Sequence, residues 1–328
     1  MTRSYTPRII LTQLFLFFSF ISFGQSQTKV LFSNSDKGQM ELQIEQSLNN
    51  VLLEFNSAFK ASRTPKLQNQ KVTPEGAARI LKIWENASFF SSETLINENL
   101  LQTTEESTFG KGYQVRNIKL TVKGKDGTIR SKNAVINFNS SGLIEELYFG
   151  IELQDYNAVK GDKQNPIEFG RRQVILDVIE NFKTAYNRKD YDFINNIFSD
   201  NALIIVGKTI KQAQLSDFGR LDQKKVELTV KTKQQYLETL QKVFATNSFI
   251  DVDFEKINIM KHPKYPQVYG VNLKQSWTSS NYSDQGYLFL MIDFRDEKKP
   301  VIHVRSWQPF KDTPSEEVIE LGDFKINN

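Results

Sequence analysis

From Glu41 to Ser62 the apolar residues Leu48, Val51, Leu52, Phe55, Ala58 and Phe59 fall three and four apart, the spacing of a helix with one buried face. Arg171 to Asn187 repeats the pattern with Ile175, Val178, Ile179, Phe182, Ala185 and Tyr186. Both segments end in Phe-x-x-Ala-aromatic, at Phe55/Ala58/Phe59 and Phe182/Ala185/Tyr186. Two further helices are predicted over Thr73 to Asn86, which opens Thr-Pro-Glu as a capped start with proline at the first helical position, and over Thr232 to Thr246. Each runs into Ser-Phe, at Ser88 and Phe89 and at Ser248 and Phe249.

Strand-like alternation follows in both halves. Tyr113 and Val115 answer Tyr269 and Val271, and Ile136 and Phe138 answer Ile292 and Phe294, all at a separation of 156. Hairpin turns are signalled at Lys125 to Gly127, Ser140 to Gly142 and Asp296 to Pro300. The chain therefore reads as one helix-then-sheet unit written twice. Asn157 to Pro166 reads as the linker, with the boundary near Gly161. The first helices lie 127 apart and the strands 156, so the second copy carries about 29 extra residues between these landmarks, mostly within Arg188 to Gln223. That stretch predicts a short helix, Tyr191 to Phe198, and an apolar strand, Ala202 to Val206, where the first half has only Arg63 to Lys71. The second copy has more material to wall a cavity and is the expected place for a ligand.

At the N-terminus Arg3 and Arg8 precede a mostly apolar run from Ile9 to Phe23 that ends Ser22-Phe23-Gly24, the form of a secretory signal peptide over residues 1–24. Its apolar run falls short of the roughly 20 residues of a membrane span, so a periplasmic or secreted protein with no span after cleavage is expected. Removal of that segment leaves 40 basic and 38 acidic side chains, which gives no electrostatic reason to bind nucleic acid. The 328 residues include no cysteine and two histidines, which excludes disulfide scaffolds, thiolate metal sites and cysteine nucleophiles. No Walker loop, Gly-x-Ser-x-Gly elbow or His-Glu-x-x-His occurs, and no cofactor is expected.

Phe182 to Asp190 (FKTAYNRKD), Asp192 to Asp200 (DFINNIFSD) and Asn201 to Gly207 (NALIIVG) resemble the SnoaL-like opening of the nuclear transport factor 2-like (NTF2-like) superfamily. The C-terminal strands, with Gln275 to Trp277, Gly286 to Phe289, Asp293 to Arg295 and Ile302 to Pro309, are similar to exported Bacteroidota proteins of that superfamily. The resemblance covers Arg171 to about Lys311, and Glu41 to Ile151 only through the internal repeat. It implies an α+β protein of two tandem cystatin/NTF2-like domains, each a curved antiparallel sheet with helices packed on one face. A degenerate NTF2-like domain would occupy 25–160 and a SnoaL-like one 161–328. Isomerases, hydrolases, dehydratases, ligand carriers and dimerisation modules share this fold, so it leaves function open.

Period-two reading of the last hairpin sorts it into two faces. Leu288, Leu290, Ile292, Phe294, Ile302 and Val304 make an apolar face, expected to pack on helices. Tyr287, Phe289, Met291, Asp293, Val301, His303, Arg305 and Trp307 make a mixed one, and Tyr269, Val271, Leu273, Gln275 and Trp277 share a face of the preceding strand. Aromatics beside a few polar groups suit a small-ligand pocket or an interface equally. Trp277, Tyr287, His303, Arg305 and Trp307 are the candidate ligand-binding residues, with Arg305 able to meet a carboxylate through its planar fork. Asp293 and His303 form the only acid/base pair in prospect, base and orienter if the protein is an enzyme of isomerase or hydrolase kind, a strand brace otherwise. His262 before Pro263 reads as a turn residue, Asp251, Asp253 and Glu255 as an exposed acidic strand face, and Tyr186 and Tyr191 as core aromatics. The leading expectation is a non-catalytic module that binds an unknown small molecule or an envelope protein through the second sheet. The alternatives are the enzyme and a purely structural module that forms a homodimer.

Overall fold

The computed structural model describes residues 28–33, 38–103, 111–162, 164–216 and 219–309, so the signal-peptide reading of 1–24 lies outside the described residues. The first half runs β1 (Lys29–Phe32), α1 (Gln39–Lys60), α2 (Pro74–Asn86), β2 (Ala87–Phe90), β3 (Leu95–Glu98), β4 (Leu100–Thr103), β5 (Gly112–Gly124), β6 (Ile129–Asn139) and β7 (Ile144–Phe149). Then come α3 (Leu153–Gly161), α4 (Phe169–Asn187), α5 (Tyr191–Ile197), β8 (Phe198–Ser216), β9 (Gly219–Lys231), α6 (Lys233–Thr246), β10 (Ile250–Lys261), β11 (Val268–Ser279), β12 (Ser283–Asp293) and β13 (Val301–Gln308). This is a mixed α+β fold. No helix among the described residues is long and apolar enough to cross a membrane.

Local chemistry sets the helix starts. Thr73 caps α2 by accepting from the Gly76 N–H at 3.0 Å, with Pro74 filling the first helical position. Thr232 and Gln235 form a reciprocal capping box on α6, and Asp190 caps α5 through the Phe193 N–H.

The second sheet has six strands in the order β10-β11-β12-β13-β8-β9. It departs from the all-antiparallel expectation at one place, where β13 runs parallel to β8 with Val304 to Trp307 opposite Leu203 to Val206. In the first sheet, β2-β5-β6-β7 with β4 also on β5, no strand among the described residues occupies the position of β8. A parallel bridge, Val72 to Ile144, lies there just before α2. Each half has its own core: Phe55, Ile80, Phe89, Ile118 and Ile136 belong to one cluster, and Ile179, Phe182, Phe198, Leu273 and Leu290 to the other.

The structure differs from two expectations. The stretch read as a linker from Asn157 is helical to Gly161, because α3 buries Tyr156 under the Arg116 guanidinium, 3.9 Å from its ring centroid. The first sheet, expected to carry helices on one face, is covered on both. Its apolar face meets α1 and α2, and its polar face meets α4. Nearly every residue of α4 from Arg172 onward is consequently buried, polar ones included.

That junction is charged. Arg116 on β5 donates to Glu180 at 2.6 and 2.8 Å and to Asp177 at 3.1 Å. Gln114 and the Tyr148 hydroxyl also reach Asp177, at 3.3 and 3.2 Å. Arg188 donates to Glu146 at 2.8 Å, while Lys183 donates to the Gly150 carbonyl at 2.8 Å and to Asp253 at 3.4 Å. Buried charge survives only when paired this way. The apolar stripe of α4, carrying Ile179, Phe182 and Tyr186, is left facing the second sheet.

Candidate functional site

A β-bulge decides what the second sheet presents. The pairing of β12 with β13 slips between Met291 and Ile292, and that of β13 with β8 slips between Ile302 and Val304, so the extra residue sits at His303. Alternation restarts beyond it on the opposite phase. Val304 therefore joins Phe289, Met291 and Val268 in a small outer cluster, and Trp307 joins the inner core with Leu288 and Leu290. The mixed face read from simple alternation is thus divided. Asp293, His303 and Tyr287 stay outside, while Arg305 and Trp307 turn to the inner side of the sheet, which also carries Trp277.

The inner group lies at the end of the sheet, between α4 and α6. Arg305 is buried, with its guanidinium 5.2 Å from the ring centroid of Tyr236 on α6. Tyr236 and Tyr186 share a hydroxyl–hydroxyl hydrogen bond of 2.7 Å, and Tyr186 meets Trp277 edge-on at 5.7 Å. Asp284 stands opposite Trp277 on β12 and accepts from Tyr282 at 2.6 Å. The Trp307 ring crosses the strand at Gly286, where an added Cβ would come within 2.6 Å of it and 2.5 Å of the Gln308 carbonyl oxygen.

Electrostatics here follow from burial. Removal from water works against the charge of Arg305, but Tyr236, Tyr186 and Asp284 outweigh it and the pKa is raised. Burial lifts the Asp284 carboxyl above its ordinary range against the opposing pull of Tyr282 and Arg305, and burial likewise lifts the Tyr186 hydroxyl well above its own. Three buried polar atoms of this group have no hydrogen-bond partner: Arg305 Nε, Trp307 Nε1 and Asp284 Oδ1. Such atoms are uncommon in native interiors and call for an explanation.

Outside, Asp293 and His303 do meet, with Nε2 at 3.0 Å from Oδ2. The imidazole Nδ1 lies 3.1 Å from the Ser199 hydroxyl, a partner that sequence spacing did not bring forward. Arg295 holds the same carboxylate through its backbone N–H and its Nε, both at 2.8 Å. Burial alone would raise the Asp293 pKa, but the hydrogen bonds from Arg295 and His303 hold it below the ordinary value. Hydroxyl, imidazole and carboxylate thus form a continuous chain that also pins the bulge.

The remaining candidates have structural employment. His262 Nδ1 accepts from the Lys264 and Tyr265 N–H groups at 3.0 and 3.3 Å, which closes its turn. Of the acidic strand face, Asp251 and Asp253 meet Lys132 of the first half, Asp253 also meets Lys183, and Glu255 meets Lys274, while the Asp253 and Glu255 side chains remain 41% and 44% exposed. Tyr191 packs at the edge of the second core. A cavity of about 30 Å³ lies between the halves beside Asn187 and Lys132, and an open cleft of about 350 Å³ lies in the first half between Phe59, Arg63, Trp84 and Lys123.

No family model and no curated protein matches the chain. Among solved structures, a Bdellovibrio bacteriovorus protein, Bd1075, overlaps 51% of this chain and 48% of its own at 12% identity and a TM-score of 0.33. The chain thus spans about half the length of that protein. A putative aromatic ring hydroxylase from Novosphingobium aromaticivorans overlaps 43% of this chain and 90% of its own at 15% identity and a TM-score of 0.31. An NTF2-like protein from Cytophaga hutchinsonii overlaps 42% and 98% at 12% identity and a TM-score of 0.28.

Proposed function

We propose that the chain is a non-catalytic binding module whose ligand is a small molecule held at the inner end of the second sheet. In this reading residues 161–328 form an NTF2-like domain and 25–160 a degenerate copy of it, exported to the periplasm or beyond. The strand order β9-β8-β13-β12-β11-β10, with β13 parallel to β8 and helices within the curve, supports that assignment. The observation that carries the ligand site is the buried Arg305 guanidinium, beside Tyr186 and Tyr236, with an N–H left unsatisfied. A cation taken out of water is retained where something of opposite polarity meets it. Aromatic walls with few polar groups are the usual lining of a small-molecule site.

Native mass spectrometry of the protein purified from its own cells tests the proposal. A retained small mass that is lost in Arg305→Ala and Trp277→Ala supports it. No retained mass, or retention unchanged in both variants, overturns it.

One observation favours a second reading. The Ser199, His303 and Asp293 chain has the connectivity of a hydrolytic triad, although Arg295 also occupies its carboxylate. Ester hydrolysis abolished by Ser199→Ala, in protein whose unfolding midpoint is unchanged, would establish that reading over the first.

A further inference from the structure

The helices α1 and α4 end in the same turn and leave different openings beside it. At the end of α1 the Ser62 N–H donates to the Phe59 carbonyl at 3.1 Å and the Arg63 N–H to that of Ala58 at 3.0 Å. Lys189 and Asp190 repeat the two bonds at the end of α4, to Tyr186 and Ala185 at 3.0 and 2.8 Å. The turn needs a left-handed residue, and each half puts a non-glycine there, Ser62 at φ 50° and Lys189 at φ 54°. What the two side chains reach differs. Lys189 Nζ donates to the Asn247 carbonyl at the end of α6 and so ties two helix ends together. Ser62 is too short to span the matching gap to the end of α2, and the open cleft of about 350 Å³ lies there, between the turn, Trp84, Ser88 and Lys123.

The walls of this cleft are fixed. The Trp84 ring stacks on Phe55 at 6.1 Å and meets Phe89 edge-on at 5.0 Å, while Phe59 leans on Phe90 at 4.5 Å. Arg63 donates to Glu54 at 2.5 and 3.2 Å, to the Ser57 hydroxyl at 3.0 Å and to the Thr64 carbonyl at 3.1 Å, so its charge is already matched. Lys123 stands directly across from Ser88 in the ladder of β2 with β5 and has no acidic partner among the described residues. The side-chain hydroxyls of Ser62, Thr64 and Ser88 make no hydrogen bond to any described residue either. One unbalanced cation, three unengaged hydroxyls and two aromatic rings thus border one space.

We propose that this cleft binds a monosaccharide-sized molecule with one anionic group, a sugar acid or a sugar phosphate. The anion meets the Lys123 ammonium, the ring C–H groups cover Trp84 and Phe59, and the sugar hydroxyls exchange hydrogen bonds with Ser62, Thr64 and Ser88. The cleft has the volume of a small-molecule site, and its open side leaves the rest of a hydroxylated ring in water. Simpler ligands match it less well. An apolar acid satisfies Lys123 and leaves the hydroxyls unused; a neutral sugar leaves the lysine charge unmatched; inorganic phosphate leaves the aromatic walls bare. The site lies in the other half from Arg305 and stands or falls apart from the reading given there.

Calorimetric titration of the intact protein with glucuronate, glucose-6-phosphate and glucose tests the inference. At least one anionic sugar is expected to bind about tenfold more tightly than glucose, the worth of one charge-assisted hydrogen bond, and the tighter of the two tells carboxylate from phosphate. Two variants locate the binding, with the unfolding midpoint showing that each is folded. Lys123→Met removes the charge from an exposed side chain and is expected to bring the anionic sugars down to the affinity of glucose. Ser62→Met lays an uncharged chain of nearly lysine's reach across the gap that Lys189 spans in the second half, and is expected to weaken the binding of all three sugars. Binding of neither anionic sugar, equal binding of glucose, or an affinity for the anionic sugars unchanged in either variant overturns the inference, whatever is found at Arg305.

Discussion

The two halves share a helix-helix-strand plan, and they differ most where the second inserts β8 and β9. In the second half β13 has a neighbour along Leu203 to Val206, and the sheet curves past it; in the first half the same flank of β7 holds one bridge, Val72 to Ile144. The consequence is seen in the polar residues. Those on the outer face of the first sheet, Gln114, Arg116, Glu146 and Tyr148, are joined to α4, so the first half's polar chemistry goes into holding the molecule together. Buried atoms without a hydrogen-bond partner occur in both halves, at Arg116 Nε and Asn137 Nδ2 in the first and at Arg305 Nε, Trp307 Nε1 and Asp284 Oδ1 in the second. The half without such a flanking hairpin among the described residues braces α4, and the half that has one curls around its helices.

The sharpest way to break this division of labour is at the junction. Arg116→Ala leaves Glu180 and Asp177 buried without their guanidinium, and loss of one partner from a buried ion network costs about 3–5 kcal/mol. Trp84 reports the first half, and Trp277 and Trp307 the second, so tryptophan fluorescence during denaturation follows each core. Both signals are expected to move to lower denaturant together. A shift confined to Trp84 would mean that the first half does not brace α4.

The same cluster gives a pH dependence whose sign sharpens the point. Burial, with the neighbouring Glu180, lifts the Asp177 carboxyl to about 6 against the opposing pull of Arg116. A carboxyl whose folded pKa lies above its unfolded one favours the folded state fully at pH below about 4, and that contribution is lost as pH rises through about 6. A shift of this size corresponds to roughly 3 kcal/mol. Stability of the native chain relative to Asp177→Asn is therefore expected to fall between pH 4 and 7, measured by urea midpoints across that range. Parallel pH profiles for the two proteins would place the titrating group elsewhere.

These features differ in how far they can be read from the chain. The paired helices, the caps at Thr73 and Thr232 and the strands around Tyr113 and Tyr269 are local patterns, and each appears where periodicity and capping chemistry put it. The role of α4 was not legible, because Asp177, Glu180 and Lys183 on the far side of an amphipathic helix look like any solvated stripe until a partner surface is supplied. Nor does Arg116 on an alternating strand announce a buried partner. The candidate site failed at one residue. Strict alternation places Arg305 and Trp307 beside His303, whereas the bulge at His303 sends them to the other side of the sheet. A one-residue irregularity leaves no mark in composition, yet it reverses every side chain after it. Trp277, grouped with Tyr287 and His303 among the candidates, stands opposite Asp284 and so lies on the other side of the sheet from both.

A smaller effect separates the last hairpins. Gly286 aligns with Arg130 at the common separation of 156, but β7 ends its pairing with β6 at Ala134 opposite Phe149, whereas β13 continues to Gln308 opposite Tyr287. Among the described residues no strand of the first sheet passes Arg130 on that side, and its side chain reaches Asp126 and Asp251 at 3.7 and 3.5 Å. At Gly286 a methyl group meets the Gln308 carbonyl and the Trp307 ring, and overpacking of that kind costs typically 1–3 kcal/mol. Gly286→Ala is expected to lower the unfolding midpoint by that amount and shift Trp307 emission, while Arg130→Ala, at the matching place, leaves both nearly unchanged. Equal effects at the two positions would show that the hairpins are not differently built.

The smallest expected difference lies at the caps of α2 and α6, and it comes down to the partner of a single backbone N–H. Both helices start with threonine accepting from the third residue on, Thr73 from Gly76 at 3.0 Å and Thr232 from Gln235 at 3.2 Å. The N–H of the capping residue has different partners. In the first half Thr73 N–H donates to Ile144 of β7 at 2.9 Å, beside the parallel bridge of Val72 to Ile144. In the second, β9 leads directly into the helix, and Thr232 N–H donates instead to the Gln235 side chain at 3.0 Å. Thr73→Ala and Thr232→Ala should each cost about 1 kcal/mol. Gln235→Ala should cost about half of one hydrogen bond's roughly 1 kcal/mol, because water can replace its exposed side chain. The matching position in the first half is Gly76, which has no side chain to lose and lies 2.8 Å, at a built Cβ, from the carbonyls of Ile144 and Glu145. Adding a methyl there as Gly76→Ala should destabilise more than Gln235→Ala, since it pushes α2 off the strand to which Thr73 is bonded. If the order of those two variants is reversed in urea titration, the strand contact at Thr73 is not what replaces the capping box.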